Sequence, residues 1–287
     1  MIKENFAIFI LTHGRADNVI TYKTLRDCGY SGEIYIVIDN LDPQIDIYKN
    51  NYKEQLIIFD KEKAIQMTDS GDNQKKHNSV VYARNYNFQI AKDLGVDYFL
   101  QLDDDYSNFG YSFNGKLEYI GQPKIRNFDD VCNSYVKFLK NTPVKSIAFA
   151  QSGDFIGGAG GISKKFLTGK IPRKIMNAFF FKTNEPVVFM GRINEDVNLY
   201  VSGGIKGELF CTHPFIRLQQ LDTQSNKDGL TDIYLDIGTY VKSFYSVMYA
   251  PSCVKIHTMG VTSKRIHHRV SWKNCNPMIL NKKVKKC

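Results

Sequence analysis

The first hundred residues alternate between short apolar runs and segments whose apolar side chains recur at helical spacing. The runs are AIFILT (7–12), EIYIVIDN (33–40), LIIFDK (56–61) and VDYFLQL (96–102). They are rich in β-branched and aromatic residues, which favours buried strands. TYKTLRDCGY (21–30) and residues 79–94 have the helical spacing, and Gly29 and Gly95 are placed to end these helices. Strands that alternate with helices at this interval predict an α/β fold with a parallel sheet and right-handed crossovers.

The second half of the chain is less regular. Its predicted elements are a strand at SIAFAQSG (146–153), a glycine-rich stretch at FIGGAGGISKKF (155–166), a strand or turn over 187–193 that leads into a short helix from Asn194, a helix within 232–252 that ends at Pro251, and a last short strand at CVKIHTMG (253–260). No internal repeat or linker is visible in the sequence. We therefore predict one domain over residues 1–287.

Size and composition predict a globular protein. The chain has 287 residues, of which 43% are hydrophobic and 13% aromatic, enough to bury a substantial core. No apolar run approaches the roughly 18 residues that a membrane span needs. The N-terminal apolar run lacks a small-residue cleavage site, so we interpret it as the first strand and not as a signal peptide. The six cysteines are scattered without a C-x-x-C pair, which favours a reducing cytoplasm over a disulfide framework.

Positive charge is concentrated in the C-terminal part of the sequence. The formal net charge is +9, yet no Asp or Glu follows Asp236, and ten Lys or Arg residues do. Without those ten, 28 basic residues stand against 29 acidic ones, so the first 236 positions are nearly neutral. A one-sided basic segment is typical of a protein with a polyanionic partner. The alternative for Lys282 to Lys286 is a solubilising tail.

Three adjacent carboxylates follow the fourth predicted strand, in YFLQLDDDY (98–106). Asp103, Asp104 and Asp105 lie where that strand ends, and Asp39 lies at the end of the second strand. In parallel sheets, ligands bind at the carboxyl ends of the strands. Two carboxylates spaced D-x-D suit a hard divalent cation such as Mg²⁺ or Mn²⁺, which is usually bound by carboxylates and substrate phosphates. The alternative is a solvated acidic turn.

Two further motifs suit a nucleotide. Arg84 and Asn85 lie near the start of the predicted helix over 79–94, where unpaired N–H groups attract phosphate and an arginine adds a bidentate donor. A surface salt bridge is the alternative for Arg84. His13, Gly14 and Arg15 follow the first strand, and a glycine turn there lets the backbone approach a nucleotide closely.

The second half supplies two more candidates. Glu195 and Asp196 stand at the start of the short predicted helix, where they can act as a general base or cap the helix. His257 lies between Ile256 and Met259 on the last predicted strand. It is a candidate metal ligand, with a packed histidine as the alternative.

The order of these features resembles that of the GT-A glycosyltransferases. In that family an aspartate pair follows a nucleotide-binding βαβ region, and a glycine-rich acceptor loop, an acidic pair that supplies the base and a late metal-binding histidine come afterwards. The matching residues here are Asp103 and Asp105, Gly157 to Gly161, Glu195 with Asp196, and His257. The resemblance implies a mixed, mostly parallel central sheet flanked by helices. It also implies Mn²⁺ or Mg²⁺ as cofactor.

A closer resemblance is to the TET-associated glycosyltransferases of bacteriophages, relatives of the base J glucosyltransferases. The matching stretches are LTHGR, TYKTLRDCGYSG, YIVIDN, FDK, GDN, VVYARN, IAKDLGVDYFLQLDDDY and GTYVKSFYSVMYAPS, which span most of the chain. His13 departs from the aromatic residue of many relatives. The family is associated with sugar transfer to hydroxymethylated pyrimidines in DNA. A basic, acid-free C-terminal segment agrees with a DNA acceptor independently of the motifs.

The resemblance implies a role for each candidate residue. The UDP-sugar donor would be held by Thr12, Gly14, Arg15, Asp39, Arg84, Asn85, Asp103 and Asp104, with Asp39 at the nucleobase or ribose and Arg84 and Asn85 at the diphosphate. The metal would be held by Asp103, Asp105 and His257, and the base would be Asp196 or Glu195. The acceptor DNA would contact Gly158, Gly160, Gly161, Arg265, Arg269 and Lys273. A single displacement would invert the anomeric centre, with retention left open.

The same resemblance divides the chain and places the protein. Residues 1–106 would bind the nucleotide sugar, 107–260 would form the acceptor and catalytic half, and 261–287 would be a basic extension. The aromatic residues behind the aspartates would stack on a flipped-out base or pack in the core: Tyr106, Phe109, Tyr111 and Phe113. We expect a phage-encoded enzyme in the host cytoplasm, with hydroxymethylated DNA as its partner and no membrane contact.

Three alternatives keep part of this interpretation. A GT-A transferase that acts on a polysaccharide or a protein would retain the aspartates without needing a basic segment. A nucleotidyltransferase also uses paired carboxylates and a metal ion. A non-catalytic nucleic-acid-binding protein on a decayed transferase scaffold would bind DNA independently of the aspartates.

Overall fold

The computed structural model describes residues 4–151, 178–220, 240–260 and 264–275. The strands are β1 (Phe6–Leu11), β2 (Glu33–Asp39), β3 (Leu56–Phe59), β4 (Tyr98–Asp103), β5 (Tyr106–Tyr111), β6 (Ser146–Gln151), β7 (Phe179–Lys182), β8 (Phe210–Gln220), β9 (Val254–Met259) and β10 (Arg265–Val270). The helices are α1 (Ile20–Asp27), α2 (Ile45–Tyr52), α3 (Lys61–Gln66), α4 (Val81–Asp93), α5 (Phe128–Lys140), α6 (Glu195–Ile205), α7 (Lys242–Tyr249) and α8 (Trp272–Cys275), with a 3-10 turn at Lys53–Gln55.

Eight of the strands form one mixed sheet in the order β3-β2-β1-β4-β7-β6-β8-β5. Strand β1 is parallel to β2 and β4, β2 is parallel to β3, and β6 is parallel to β8. Strand β7 is antiparallel to β4 and β6, and β5 is antiparallel to β8. Four of the seven pairings are therefore parallel, and the predicted α/β fold with a mixed, mostly parallel sheet is confirmed.

The core occupies both faces of this sheet because β1 is buried along its whole length. Successive residues of a strand face opposite sides. Ile8 and Ile10 accordingly belong to the apolar cluster that includes residues of α1 and α5. Phe9 and Leu11 belong to the cluster that includes residues of α4 and α6. A strand buried on both faces has a continuous apolar sequence, which is why the run AIFIL could be predicted.

The parallel register brings the carboxyl ends of four strands to one edge of the sheet. Leu11 at the end of β1 is opposite Val37 in β2 and Asp103 in β4. Asp39 at the end of β2 is opposite Phe59 at the end of β3. The chain segments that leave these four strands therefore meet at a single edge, as the sequence predicts.

Gly29 is required where α1 ends. Its φ of +82° lies in the left-handed region, and a Cβ at this position would overlap the backbone carbonyl oxygen of Arg126. Next to this contact, the Phe128 N–H donates to the Cys28 carbonyl at 3.0 Å. Glycine therefore allows the end of α1 to pack directly against the segment that leads into α5.

The C-terminal part differs from the prediction in one element. Strand β9 is present, but it is not the last strand, because β10 follows and pairs with it antiparallel as a separate two-stranded sheet. This pairing crosses the boundary predicted at residue 260. The described part of the helix predicted within 232–252 is α7, whereas residues 221–239 and the glycine-rich stretch 155–166 lie outside the described residues. Across the described ranges, no helix combines the length and the apolar character that a bilayer span requires.

Candidate active site

A cavity of about 510 Å³ lies at the carboxyl ends of β1 to β4. Its wall comes from the turns that follow these strands, the start of α4 and the end of β8. Seven of the predicted site residues line it: Thr12, Gly14, Arg15, Asp39, Asp103, Asp104 and Asp105. His13, Phe59, Lys61, Ser79, Ala83 and Gln220 also line it. The strand-end carboxylates of β2 and β4, 64 positions apart in sequence, therefore share one cavity.

The turn after β1 is held by side chains from the neighbouring β2–α2 segment. Gly14 adopts a φ of +66°, and its N–H donates to Asp42 Oδ2 at 2.8 Å. The buried Tyr48 hydroxyl accepts from the Arg15 N–H at 2.9 Å and lies 2.9 Å from Thr12 Oγ1. These bonds fix the backbone of a glycine turn beside the cavity, which is the arrangement needed for close approach of a ligand.

Asp104, in the turn after β4, holds the turn after β1 in place. It accepts a hydrogen bond from Thr12 Oγ1 at 2.6 Å and an ion-pair bond from Arg15 Nη1 at 2.9 Å. Burial raises the pKa of Asp104 above its ordinary value, although the Arg15 charge opposes this effect. The middle aspartate thus binds a neighbouring basic side chain, while Asp103 and Asp105 make different contacts.

Asp103 and Asp105 are partly exposed to the cavity. Asp103 accepts from Arg84 Nη2 at 3.1 Å and from the Tyr106 hydroxyl at 3.1 Å. Asp105 Oδ2 accepts from Gln220 Nε2 at 3.2 Å. Asp105 Oδ1 is buried without a hydrogen-bond partner among the described residues. Burial and, next, the charge of Asp103 raise the pKa of Asp105 to about 6.

This pair fits a hard divalent cation. A buried carboxylate oxygen without a partner is costly, and a cation beside it would relieve both the missing bond and the repulsion between the two aspartates. Within the described ranges, no group of three or more His, Cys, Asp or Glu side chains is arranged to hold a metal. Asp103 and Asp105 would therefore need oxygen ligands from elsewhere, and Mg²⁺ commonly takes them from substrate phosphates and water.

Among the described residues, His257 does not form a metal-binding group with the two aspartates, and its role as a third ligand stays a prediction. It is exposed on β9, where it faces His267 across the two-stranded sheet. That sheet is separate from the one that carries Asp103 at the end of β4. The order of residues along the chain suggested the ligand, but it does not determine the distance between elements of two different sheets.

Asp39 lies in a buried charge cluster at the end of β2. Its Oδ2 is 2.9 Å from Lys61 Nζ and 3.3 Å from His13 Nδ1. Burial disfavours the ionised form of Asp39, but the hydrogen bond from His13 and the charge of Lys61 outweigh it and lower the pKa to about 2. The same hydrogen bond raises the pKa of His13 despite its partial burial. Asp39 is therefore a permanent anion on the cavity wall.

Arg84 and Asn85 lie behind the cavity wall, to which Ser79, Val80 and Ala83 contribute instead. The Asn85 amide is engaged with the Phe189 backbone, donating to its carbonyl at 2.9 Å and accepting from its N–H at 2.8 Å. Asn85 thus joins α4 to the segment before α6. This amide contributes to the interior packing, and the diphosphate contact predicted for Asn85 stays a prediction.

Arg84 bridges two carboxylates with different predicted roles. Its guanidinium is buried against the rings of Phe179 and Phe189, at 5.0 and 5.7 Å from their centroids. Nη2 bonds Asp103, and Nε lies 3.5 Å from Glu195 Oε1. Buried charges need such partners, since an uncompensated one is strongly unfavourable. Arg84 therefore neither forms a surface salt bridge nor lines the cavity.

Glu195 and Asp196 are buried at the start of α6. Asn194, just before them, has a left-handed φ of +56°, and its amide donates to the Lys242 carbonyl at 2.5 Å. Burial raises the pKa of Glu195 above its ordinary value, and Arg84 opposes the shift. Asp196 accepts from the Val197 N–H at 2.7 Å. The Arg84 guanidinium thus lies between Glu195 and Asp103. The spacing of these residues in the sequence gave no indication of this contact.

Three of the predicted acceptor residues lie on β10 and α8 and do not line the cavity, and the other three lie outside the described residues. Arg265 and Arg269 are exposed on β10, and Lys273 is exposed on α8. Gly158, Gly160 and Gly161 lie outside the described residues. Of the aromatic residues that follow the aspartates, three are buried and one is partly exposed: Tyr106, Phe109 and Phe113 are core residues, and Tyr111 is at the boundary.

Among the cavity residues that were not predicted from the sequence, Lys61 and Gln220 contact the candidate carboxylates. Lys61 follows β3 directly, in the quoted FDK, so a basic residue at the end of a parallel strand was a usable signal. Gln220 reaches Asp105 because the end of β8 pairs with the start of β5, where it is opposite Tyr106. That contact joins residues 115 positions apart and has no local signature.

Comparison with protein families gives one match. A family model described as TET-Associated Glycosyltransferase matches residues 6–229, from the first residue of β1 to beyond β8. The match covers well over half of the 287 residues. A comparison with the curated proteins found no match.

Solved structures with a similar arrangement are remote. Glucosyl-3-phosphoglycerate synthase from Mycobacterium tuberculosis, solved with Mn²⁺, uridine diphosphate and phosphoglyceric acid, is 7% identical, with a TM-score of 0.47 and coverage of 93% of this chain and 87% of that one. The mannosyltransferase PcManGT from Pyrobaculum calidifontis, solved with GDP-mannose and Mn²⁺, is 9% identical, with a TM-score of 0.47 and coverage of 88% and 75%. A cytidylyltransferase from Leptospira borgpetersenii is 11% identical, with a TM-score of 0.39 and coverage of 87% and 94%. Likeness at this level carries no information on activity.

Proposed function

This chain belongs to the TET-associated glycosyltransferase family, and we propose that it transfers a sugar from a UDP-sugar to a hydroxymethylated pyrimidine in DNA with the help of a divalent metal ion. The observation that carries the proposal is the pair Asp103 and Asp105, which shares a cavity with Asp39 and the glycine turn after β1. The orphaned Oδ1 of Asp105 supports a cation at this point of the wall.

The donor would occupy this cavity. The backbone of the turn Thr12 to Arg15, fixed by Asp104 and Tyr48, would lie against the nucleotide. Asp39, ionised at all physiological pH values, would accept hydrogen bonds from the ribose or the nucleobase. Asp103 and Asp105 would hold Mn²⁺ or Mg²⁺, which would supply Lewis-acid neutralisation of the diphosphate leaving group.

Glu195 or Asp196 would act on the acceptor. One carboxylate takes the proton from the hydroxymethyl oxygen, this oxygen forms a bond to the anomeric carbon, and the bond from that carbon to the diphosphate breaks to release UDP. A single displacement of this kind inverts the anomeric centre. The raised pKa of Glu195 suits a general base, because it brings the proton affinity of the carboxylate closer to that of a working base near neutral pH.

The acceptor would be DNA in the cytoplasm of a phage-infected bacterium. A base in a duplex has to be flipped out before its hydroxymethyl group can be reached. The stretch after Asp236, with ten basic residues and no acidic one, supports a partner with a phosphate backbone. Gly158, Gly160 and Gly161 stay predicted acceptor residues.

The nucleotide that is released from the donor distinguishes a glycosyltransferase from a nucleotidyltransferase. The protein would be incubated with Mn²⁺, labelled UDP-sugar and either hydroxymethylated DNA, unmodified DNA, a polysaccharide or a protein acceptor. We expect UDP release that is stimulated by hydroxymethylated DNA. Release of free UMP or pyrophosphate would favour a nucleotidyltransferase, and stimulation by a polysaccharide or protein would replace the DNA acceptor.

A further inference from the structure

The β9–β10 hairpin presents a strongly basic face. In an antiparallel pair, residues directly opposite each other lie on the same side, and alternate residues share that side. The register pairs Lys255 with Arg269, His257 with His267 and Met259 with Arg265. We call the face formed by these side chains the ribbon face: Lys255, His257, Met259, Arg265, His267 and Arg269. All except the half-buried His267 are exposed.

The ribbon face carries three cationic side chains, Lys255, Arg265 and Arg269, all of them exposed. Among the residues that the structure describes, Lys255, Arg265 and Arg269 have no ion pair. Lys255 stands directly opposite Arg269, and like charges at such positions destabilise a β-ladder. A hairpin with this cross-strand pair and no carboxylate nearby in sequence carries an electrostatic cost that an external polyanion would remove.

The other face of the hairpin attaches it to the catalytic part of the molecule. Val254 is buried, and Val270 packs against the same apolar cluster. The Ser243 hydroxyl of α7 donates to the Ile266 carbonyl at 3.3 Å, and Asn194 Nδ2 lies 3.4 Å from His268 Nδ1. Asn194 immediately precedes the candidate base Glu195. The hairpin is therefore fixed next to the start of α6.

A second contact holds the end of the hairpin to α6. Trp272, at the start of α8, stacks on Tyr200 with ring centroids 5.8 Å apart and an interplanar angle of 8°. At Gly204, a Cβ would overlap the Cys275 carbonyl oxygen, so α8 and α6 approach as closely as glycine permits. A ligand on the ribbon face is consequently held by an element that is anchored to the helix carrying Glu195 and Asp196.

We propose that the ribbon face binds the phosphate backbone of duplex DNA next to the base that is modified; this assignment rests on the proposed function and names the docking surface for its acceptor. Arg265 and Arg269 are four residues apart, or about 13 Å along an extended strand. This matches the roughly 12 Å width of the major groove of B-DNA, which also admits a two-stranded ribbon. Both arginines can therefore meet phosphates on the two sides of the groove.

The test measures DNA binding without donor and metal. Lys255, Arg265 and Arg269 would be changed together to Gln, and the affinity for a labelled duplex containing hydroxymethylcytosine would be followed by fluorescence anisotropy between about 50 and 200 mM salt. We expect the slope of log K against log salt to become shallower by about 3, one unit for each lost phosphate contact. The affinity at the higher salt concentration should fall at least about 10-fold.

A matched variant distinguishes the effect of the ribbon face from the effect of the protein's total charge. Lys92, Lys116 and Lys137 are also exposed and lie outside the ribbon face, and their joint change to Gln removes the same charge. We expect it to keep the wild-type slope. A ribbon variant with the wild-type slope, a wild-type protein that binds no duplex DNA, or tighter binding of an RNA duplex of the same sequence would overturn the proposal. If the triple variant loses its thermal unfolding transition, Arg269→Gln alone, with an expected slope change of about 1, decides the question.

Failure of the proposed function would look different. If hydroxymethylated DNA gains no sugar but the ribbon variant still loses DNA affinity, the docking surface stands and the transfer reaction does not. If sugar is transferred while the ribbon and matched variants bind DNA equally, the reaction stands and the ribbon face is wrong.

Discussion

The buried guanidinium of Arg84 donates from Nη2 to Oδ1 of the partly exposed Asp103 at 3.1 Å. The same guanidinium places Nε 3.5 Å from Glu195 Oε1. Electrostatic interactions in a poorly solvated interior are stronger than at the surface. A change of charge at Asp103, in the candidate donor site, is therefore transmitted to Glu195, the candidate base.

Asp105→Asn should strongly lower metal-dependent transfer while sparing the fold. The change keeps the shape of the side chain but removes the negative charge that its orphaned oxygen offers to a cation. We expect kcat/KM to fall by about 10²–10³-fold, the usual loss when one preorganised electrostatic group is removed. Sugar transfer and Mn²⁺ binding in the presence of UDP measure this. Asp46→Asn, at a carboxylate whose side chain is 92% exposed, is the control and should match the wild type.

Glu195→Gln and Asp196→Asn distinguish the two candidate bases. The true base variant should lose about 10²–10⁴-fold in kcat, because proton transfer to a positioned group is removed. UDP affinity, measured by calorimetry, should stay within a factor of a few in both variants. Equal and small losses in the two variants would show that neither carboxylate accepts the acceptor proton.

The pH dependence follows from the burial of Glu195. Burial raises the pKa of Glu195, and the base works only when it is deprotonated. The rate kcat/KM should therefore fall on the acid side at a pH above the ordinary carboxyl range. Arg84→Met removes the positive charge that opposes the shift, so the acid limb should move to higher pH. Arg84→Lys keeps the charge and should leave the limb closer to its wild-type position.

The same pKa shift predicts a change in stability. A carboxyl with a raised pKa in the fold contributes stability below its unfolded pKa, and this contribution is lost as the pH rises through the folded value. Glu195→Gln has no titrating carboxyl at this position, so it does not lose this contribution as the pH rises. The free energy of unfolding of the variant minus that of the wild type should therefore increase from pH 4 to pH 8. Urea unfolding at the two pH values measures this difference. An unchanged difference would contradict the raised pKa.

Lys61 and Asp39 should be energetically coupled. Loss of one partner of a buried ion pair leaves an uncompensated charge, so Lys61→Met should lower the free energy of unfolding by about 3 kcal/mol. A double-mutant cycle with Asp39→Asn should give a coupling energy of at least about 1 kcal/mol. The exposed pair Lys63 and Asp60 is the control, with a coupling below about 1 kcal/mol. Equal coupling in the two pairs would contradict the buried charge cluster.

Much of the sheet could be predicted because its strands are buried on both faces. Strands β1, β2 and β4 have continuous apolar sequences, and the parallel arrangement then places Asp39 and Asp103 at one edge. Strand β10 was missed because its sequence, RIHHRV, has only two apolar residues, Ile266 and Val270, and packs only partly against the core.

The internal connections of the site could not be predicted. Arg84 and Glu195 are 111 positions apart, and their contact depends on how α4 and α6 pack against the same face of the sheet. The sequence around Arg84 indicates only the start of a helix. Because helix starts attract phosphate, the sequence suggested a phosphate contact for Arg84. The ligand role of His257 stays a prediction for a related reason, because His257 lies in the two-stranded sheet and not in the sheet that carries Asp103.

The central claim is that the pair Asp103 and Asp105 supports sugar transfer to hydroxymethylated DNA. The most direct measurement is mass spectrometry of nucleosides from hydroxymethylcytosine and hydroxymethyluracil DNA after incubation with the protein, Mn²⁺ and a panel of nucleotide sugars. We predict that one hydroxymethylated nucleoside gains the mass of a glycosyl residue with the wild-type protein and with Asp46→Asn. At matched incubation times, we expect far less of this product with Asp105→Asn and none without a divalent cation. No mass gain with any nucleotide sugar, or an equal gain with Asp105→Asn, would contradict the account.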